Sequence, residues 1–104
     1  MIIYRSYQFG SVFGMLYDFG AAGDRLPTHN HQTYGDEHNV ICLSGHVMIE
    51  IGEQKILVDE GVWAEFDGML DHTVIAMFPS RTLHLYKNGR PESFIDGFIG
   101  TYGT

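Results

Sequence analysis

The sequence predicts an all-β protein, a two-sheet sandwich or barrel with little or no helix. Three observations carry that expectation. Short segments rich in Val, Ile, Phe and Tyr alternate with turn residues along most of the chain. Thirteen glycines against three prolines in 104 residues suit many tight turns. No stretch combines helical spacing of apolar residues with a cap over three turns. Evenly spaced short strands of this kind bury their apolar faces by pairing sheets or closing a barrel.

In chain order, strands are expected over Ile2–Phe9 and Val12–Phe19, with a turn at Gly20–Asp24. A further strand carries His29 and His31. Asn39–Leu43 runs into a Ser44-Gly45 turn, and His46–Ile51 into Gly52-Glu53. Lys55–Val58 precedes the turn Asp59–Gly61, and Val62–Phe66 precedes Asp67-Gly68. His72–Phe78 ends at Pro79-Ser80, and Thr82–Lys87 at Asn88-Gly89. Two strands are apolar on both parities. His72, Val74, Ala76 and Phe78 share one face while Ile75 and Met77 lie on the other. His38, Val40 and Cys42 likewise oppose Ile41 and Leu43. A strand with one wet face alternates, so part of the outer surface is expected to be covered by the chain's own ends or by a second subunit. The apolar, Gly-rich end "SFIDGFIGTYGT" is expected to pack on the barrel or on a neighbour.

The composition narrows the function classes. A length of 104 residues suits one domain, 1–104, with a single core. Net charge is −7, from six Lys+Arg against thirteen Asp+Glu. Without a basic cluster, nucleic acid is disfavoured as a partner, because phosphate binding draws on Lys and Arg. Anionic membrane surfaces are disfavoured for the same reason. The opening "MIIYRSYQFG" lacks the apolar run of a secretory signal. The longest apolar run, Val74–Phe78, falls far short of the roughly 20 residues that span a bilayer. Cys42 is the one cysteine, which forbids an intrachain disulfide. These features point to a cytoplasmic setting.

The stretch "LPTHNHQTYGDEHNVICLSGH" holds four of the six histidines. Residues i and i+2 of a strand share a face, so His29 and His31 can aim at one point. If the chain turns back at "TYGD", His38 reaches the same point from a neighbouring strand, and His72 opens a later one. Three or four neutral imidazoles converging in a barrel suit Fe, Mn, Ni, Cu or Zn. Taken singly, each histidine is more often a surface or hydrogen-bonded structural residue.

The glycines around these histidines give the pattern its specificity. The stretch resembles the cupin superfamily, whose first motif runs G-x5-H-x-H-x3or4-E-x6-G and whose second runs G-x5-P-x-G-x2-H-x3-N. Gly23 stands six before His29, "HNH" supplies the pair, and seven back from Gly45 is His38, where the family usually has Glu. The gap from His31 to His38 is two or three residues longer than usual. Gly61 stands eleven before His72, as the second motif requires. Asp67 replaces its Pro, Met69 its second Gly and Ala76 its Asn. The match runs over 23–45 for motif 1 and 61–76 for motif 2.

The resemblance implies a double-stranded β-helix, the jelly-roll barrel of cupins. It also implies one divalent transition metal per chain, held by His29, His31 and His72. Glycine spacing selects His38 as the fourth ligand, giving a four-histidine site. The family's habit of using a carboxylate selects Glu37. On a regular strand these two point to opposite faces, and His38 is preferred because Val40 and Cys42 then continue an apolar inward face.

Function is left with competing versions. One is a metal-dependent enzyme acting on a small organic molecule, dioxygenase-like by preference or a non-redox isomerase or lyase. Another is a non-catalytic module that binds a small ligand. A third is a barrel whose histidines hold no metal. Candidate acid/base groups are Tyr34, Tyr86 and His84. His84 shares a parity with Thr82 and Tyr86 but is expected at the surface or an interface. Trp63 and Phe78, with Tyr34 and Tyr86, are candidate pocket walls or plain packing. Asp71 reads as a turn residue, His46 as solvent-facing and Cys42 as a buried, inert thiol. A homodimer is expected.

Overall fold

The computed structural model describes residues 1–9, 12–28, 37–67, 70–86 and 101–102, with the backbone alone at 8, 9, 12, 37, 38, 86, 101 and 102. Among the described residues, nine strands run in order: β1 (Ile2–Phe9), β2 (Val12–Phe19), β3 (Glu37–Ser44), β4 (His46–Ile51), β5 (Gln54–Asp59), β6 (Trp63–Asp67), β7 (His72–Ala76), β8 (Ser80–Tyr86) and β9 (Thr101–Tyr102). They form a six-stranded sheet, β6-β3-β8-β2-β1-β9, and a three-stranded sheet, β5-β4-β7. Every pairing between these strands is antiparallel. Strands next in sequence are often far apart in the sheets, as when β2 pairs β8. That is the layout of a jelly roll. No described helix is long and apolar enough to cross a membrane.

Local sequence explains most strand ends. The apolar side chains of β1 and β2 alternate, with Ile2, Tyr4, Phe13, Met15, Tyr17 and Phe19 buried. The β3–β4 turn closes at Gly45, whose φ is 81°. A Cβ there would overlap Ser80 Oγ and sit 2.6 Å from Pro79 O. Only glycine meets both demands. Gly23 and Gly61, the other motif glycines, also have positive φ. The strand expected to end at Phe78 stops at Ala76 instead. Met77 and Phe78 turn outward and are 44 % and 57 % exposed.

The sheets face each other across one apolar layer. Val47, Ile49, Val58 and Val74 of the smaller sheet are fully buried against Val40, Cys42 and the inward residues of β1 and β2. Burying a Val or Ile side chain contributes about 1.5–3 kcal/mol relative to exposure.

The second expectation about cover divides in two. All five residues of β7 are buried, because a further segment pairs along its open edge. Gly23 N donates to Ala76 O at 2.8 Å, Ala76 N to Asp24 O at 2.8 Å, and Leu26 N to Val74 O at 3.0 Å. Thr73 Oγ1 donates to Leu26 O as well. On β3, by contrast, Ile41 is half-buried and Leu43 is 45 % exposed. The strand expected to hold His29 and His31 lies outside the described residues. Of the apolar C-terminal end, β9 pairs with β1 through Thr101 and Tyr102.

Candidate functional site

The site is built from one end of the barrel. His72 opens β7 opposite Ile51 of β4 and is 1 % exposed. Its Nδ1 lies 2.8 Å from the carbonyl oxygen of Leu70. A carbonyl can only accept, so Nδ1 carries the proton and Nε2 is left with the lone pair. This is the arrangement of a metal-ligating histidine, in which a bond at one nitrogen orients the other.

The His72 ring meets Phe66 edge-on, with centroids 4.8 Å apart and planes at 71°. Phe66 is the register partner of His38 in the β3–β6 pair, and His38 is also opposite Tyr86 in β8. The row Phe66–His38–Tyr86 therefore lies at the level of His72, across the barrel. His38 has the parity of Val40 and Cys42, both fully buried, and Glu37 has the opposite parity.

The segment paired along β7 leads to a cavity beside His72 that takes Glu50 and Thr73 from the outward parity of β4 and β7. Continuing its register sets Thr28 beside His72, and Thr28, Glu50, Gly52, Asp71, His72 and Thr73 line one cavity of about 250 Å³. Thr28 immediately precedes His29. His29, His31 and Tyr34 lie outside the described residues, and of His38 and Tyr86 the backbone alone is described. Among the described residues, no three His, Cys, Asp or Glu side chains form a group that could hold a metal.

One layer below the His38–Tyr86 row is His84, and here the structure corrects the sequence reading. His84 is not at the surface; it is fully buried. It sits between Met15 and Val40 in the register. Its Nε2 bonds Thr82 Oγ1 at 2.8 Å, and its ring meets Tyr17 edge-on at 4.7 Å. The shared parity of Thr82 and His84 was the signal for this, and the two set polar groups inside the barrel.

Trp63 is not a wall of the cavity. It is 56 % exposed on the outward face, and its Nε1 donates to Asn39 Oδ1 at 2.9 Å. Phe78 lies against His46 at the opposite end of β4, with centroids 5.3 Å apart. His46 itself is on the outside, paired at 2.6 Å with Asp59. Cys42 is buried, and burial pushes its thiol up despite the Ser44 carbonyl nearby.

Thr28, Glu50 and Thr73, which line the cavity with His72, and Phe66, which packs on its ring, are neighbours that motif reading missed. Only Thr28 carried a sequence signal, its place beside His29. The others depend on which strands meet.

Solved structures share this architecture. A cupin superfamily protein from Desulfitobacterium hafniense superposes with a TM-score of 0.70 at 17 % identity, over 82 % of this chain and 75 % of that one. KdgF from a Halomonas species gives 0.73 at 16 % identity, over 86 % and 82 %. An RmlC-like cupin from Desulfovibrio desulfuricans gives 0.68 at 22 % identity, over 82 % and 78 %. The chain has the cupin fold. No protein-family model matches it, and no curated protein matches it in sequence.

Proposed function

We propose that this chain is a small metal-dependent cupin enzyme acting on a small organic molecule. The observation that carries the reading is His72, buried at the barrel end with Nδ1 tied to Leu70 O and Nε2 left as the basic nitrogen. His38 shares its level through Phe66, and the chain leads into His29 and His31 from Thr28, on the wall of the same cavity. His29, His31, His38 and His72 would hold one divalent transition metal, Fe, Mn, Ni, Cu or Zn, with Glu37 the alternative to His38. Imidazole donors suit these metals.

Bound there, the metal would polarise an oxygen of the substrate and, in the dioxygenase-like version that we favour, bring O2 beside it. The chain's own residues do the rest. Leu70 O fixes the tautomer and ring plane of His72. Phe66 packs against that ring and keeps water from its flank. The cavity mouth carries the hydroxyls of Thr28 and Thr73, which can orient a polar substrate. His84 and Thr82 hold a protic floor beneath. Protic groups around the site favour turnover over passive ligand binding. Tyr86 and Tyr34 are the remaining acid/base candidates.

A second reading, a non-redox isomerase or lyase, is favoured by the carboxylates of Glu50 and Asp71, which line the cavity with His72.

The test is metal content of tag-free protein, wild type beside His72→Ala, with circular dichroism to check the fold. About one equivalent of Fe, Mn, Ni or Cu in wild type and none in folded His72→Ala supports the reading, and oxygen uptake with candidate substrates then follows. Zn as the native metal moves the reading to the Lewis-acid version. A wild type that binds no divalent metal after reconstitution overturns both enzyme versions. His38→Ala against Glu37→Ala assigns the fourth ligand by the same measurement.

A further inference from the structure

We infer that Thr73 is a positioning residue for the metal site, its hydroxyl fixing the course of the chain into His29 and His31. This rests on the reading above, in which those histidines are ligands. Thr73 is the second residue of β7 and is buried. Its Oγ1 donates to the carbonyl oxygen of Leu26. Leu26 belongs to the segment that pairs along the open edge of β7, through the Arg25–Ile75 bridge and the bond from Leu26 N to Val74 O at 3.0 Å. It is itself buried, and it stands three residues before His29.

The residues after Leu26 explain why one hydroxyl matters. Pro27 has no N–H, so it cannot carry the pairing onward. The Leu26 carbonyl and the Pro27 nitrogen belong to one planar peptide unit. Holding the oxygen therefore holds the whole plane. The proline ring then locks the next angle, φ, near −65°. Between the Leu26 carbonyl and the Thr28 nitrogen, the ψ of Pro27 is the one soft angle left. The clamp on Leu26 O thus sets the direction in which the chain leaves for Thr28 and His29. Pro27 and Thr28 are exposed, so burial holds them far less than it holds Leu26.

Thr73 follows His72 directly, and neighbours on a strand face opposite ways. One strand therefore serves the site from both faces. His72 points to the barrel interior, and Thr73 clamps the segment that leads to two further ligands. The hydroxyl hydrogen goes to Leu26 O, and the oxygen can still accept on the wall of the cavity that Thr73 lines. Serine can make the same bond. Valine keeps the β-branched shape and has no donor. Without the clamp, the Leu26–Pro27 plane is free, and metal binding must order it. The entropy of ordering one residue corresponds to a roughly 5- to 30-fold weaker metal affinity.

Titration of the tag-free full chain with Zn(II), in competition with a chromogenic chelator, tests this. Thr73→Val and Thr73→Ala are each expected to bind roughly 5- to 30-fold more weakly than wild type. Thr73→Ser is expected to stay within about twofold, because its hydroxyl restores the bond. A purely structural Thr73 would lower the melting temperature of the metal-free variants and leave their Zn(II) affinity unchanged. That outcome overturns the inference and leaves the four-histidine reading standing, whereas a wild type that binds no Zn(II) overturns both. Hydrogen exchange of wild type needs no variant, so it decides even if the valine and alanine forms fail to fold. By linkage, Zn(II) is expected to slow exchange of the Leu26 amide more than that of the Gly61 amide, which bonds Cys42 O away from the site. Equal slowing of the two amides overturns the coupling.

Discussion

His84 and Cys42 show how the same barrel interior treats two ionisable side chains. His84 is kept polar by a bond to Thr82 Oγ1. Thr82→Val removes that partner at nearly constant volume and is expected to destabilise the fold by about 1–3 kcal/mol. In a domain of this size that lowers the melting temperature by several degrees, at about 4–8 °C per kcal/mol, readable by calorimetry. A melting temperature unchanged within a degree would show the bond to be dispensable. The Cys42 thiol is pushed up chiefly by burial, with the Glu60 and Asp59 carboxylates adding to the rise and the Ser44 carbonyl opposing it. Its folded value therefore lies above the unfolded one. The stabilisation is full below the unfolded thiol range and is lost as pH rises through the folded value. The stability difference between wild type and Cys42→Ala is expected to shrink in alkali, followed by denaturant melts across pH 7 to about 11. Native Cys42 should also resist alkylation near neutral pH and react once unfolded. Rapid labelling of native protein would contradict its burial.

At the scale of elements, β3, β4 and β7 carry the proposed site, and β3 passes to β4 in the other sheet through Gly45. Gly45 combines a φ of 81° with a close approach to Pro79 and Ser80. Ser80 Oγ also bonds the backbone of His46, accepting from its N–H and donating to its carbonyl, both at 3.1 Å. Gly45→Ala therefore strains the turn and pushes on the residue that ties β8 to β4. The expected cost exceeds about 1 kcal/mol, whereas Gly52→Ala, with open space around its Cβ, pays the φ penalty alone. Comparing the two by thermal melts separates crowding from backbone strain, and equal losses would remove crowding from the account. The limits of β1, β2 and β4 were legible because alternating apolar side chains and flanking turn-type residues mark them locally. The end of β7 was not. Met77 and Phe78 read as strand residues by composition; Met77 N still donates to His46 O at the last rung beside the β4–β7 ladder, and the chain then turns outward toward β8.

The whole molecule is a network of distant pairings, Phe13 with Tyr86 and Val47 with Ala76 among them. Loop-closure entropy must be overcome before such contacts form, so refolding is expected on the millisecond-to-second scale of all-β domains. Stopped-flow fluorescence of Trp63 checks this, and complete microsecond folding would contradict it. If the proposed metal binds the folded state alone, chelation lowers the melting temperature of wild type by several degrees and leaves His72→Ala unmoved. A chelator effect of equal size in both would place the metal elsewhere.

The sequence by itself determined the all-β class, most strand limits, the cupin motif spacing and the histidines worth watching. These depend on local physics: residue alternation, turn glycines and the two-residue repeat of a strand. Only the tertiary structure decided that Phe66 lies against His72, that Thr28 reaches the same cavity, that His84 points inward and that Trp63 points out. Those facts depend on which strand pairs with which and in what register. A jelly roll joins strands distant in the chain, and a shift of one residue reverses every face.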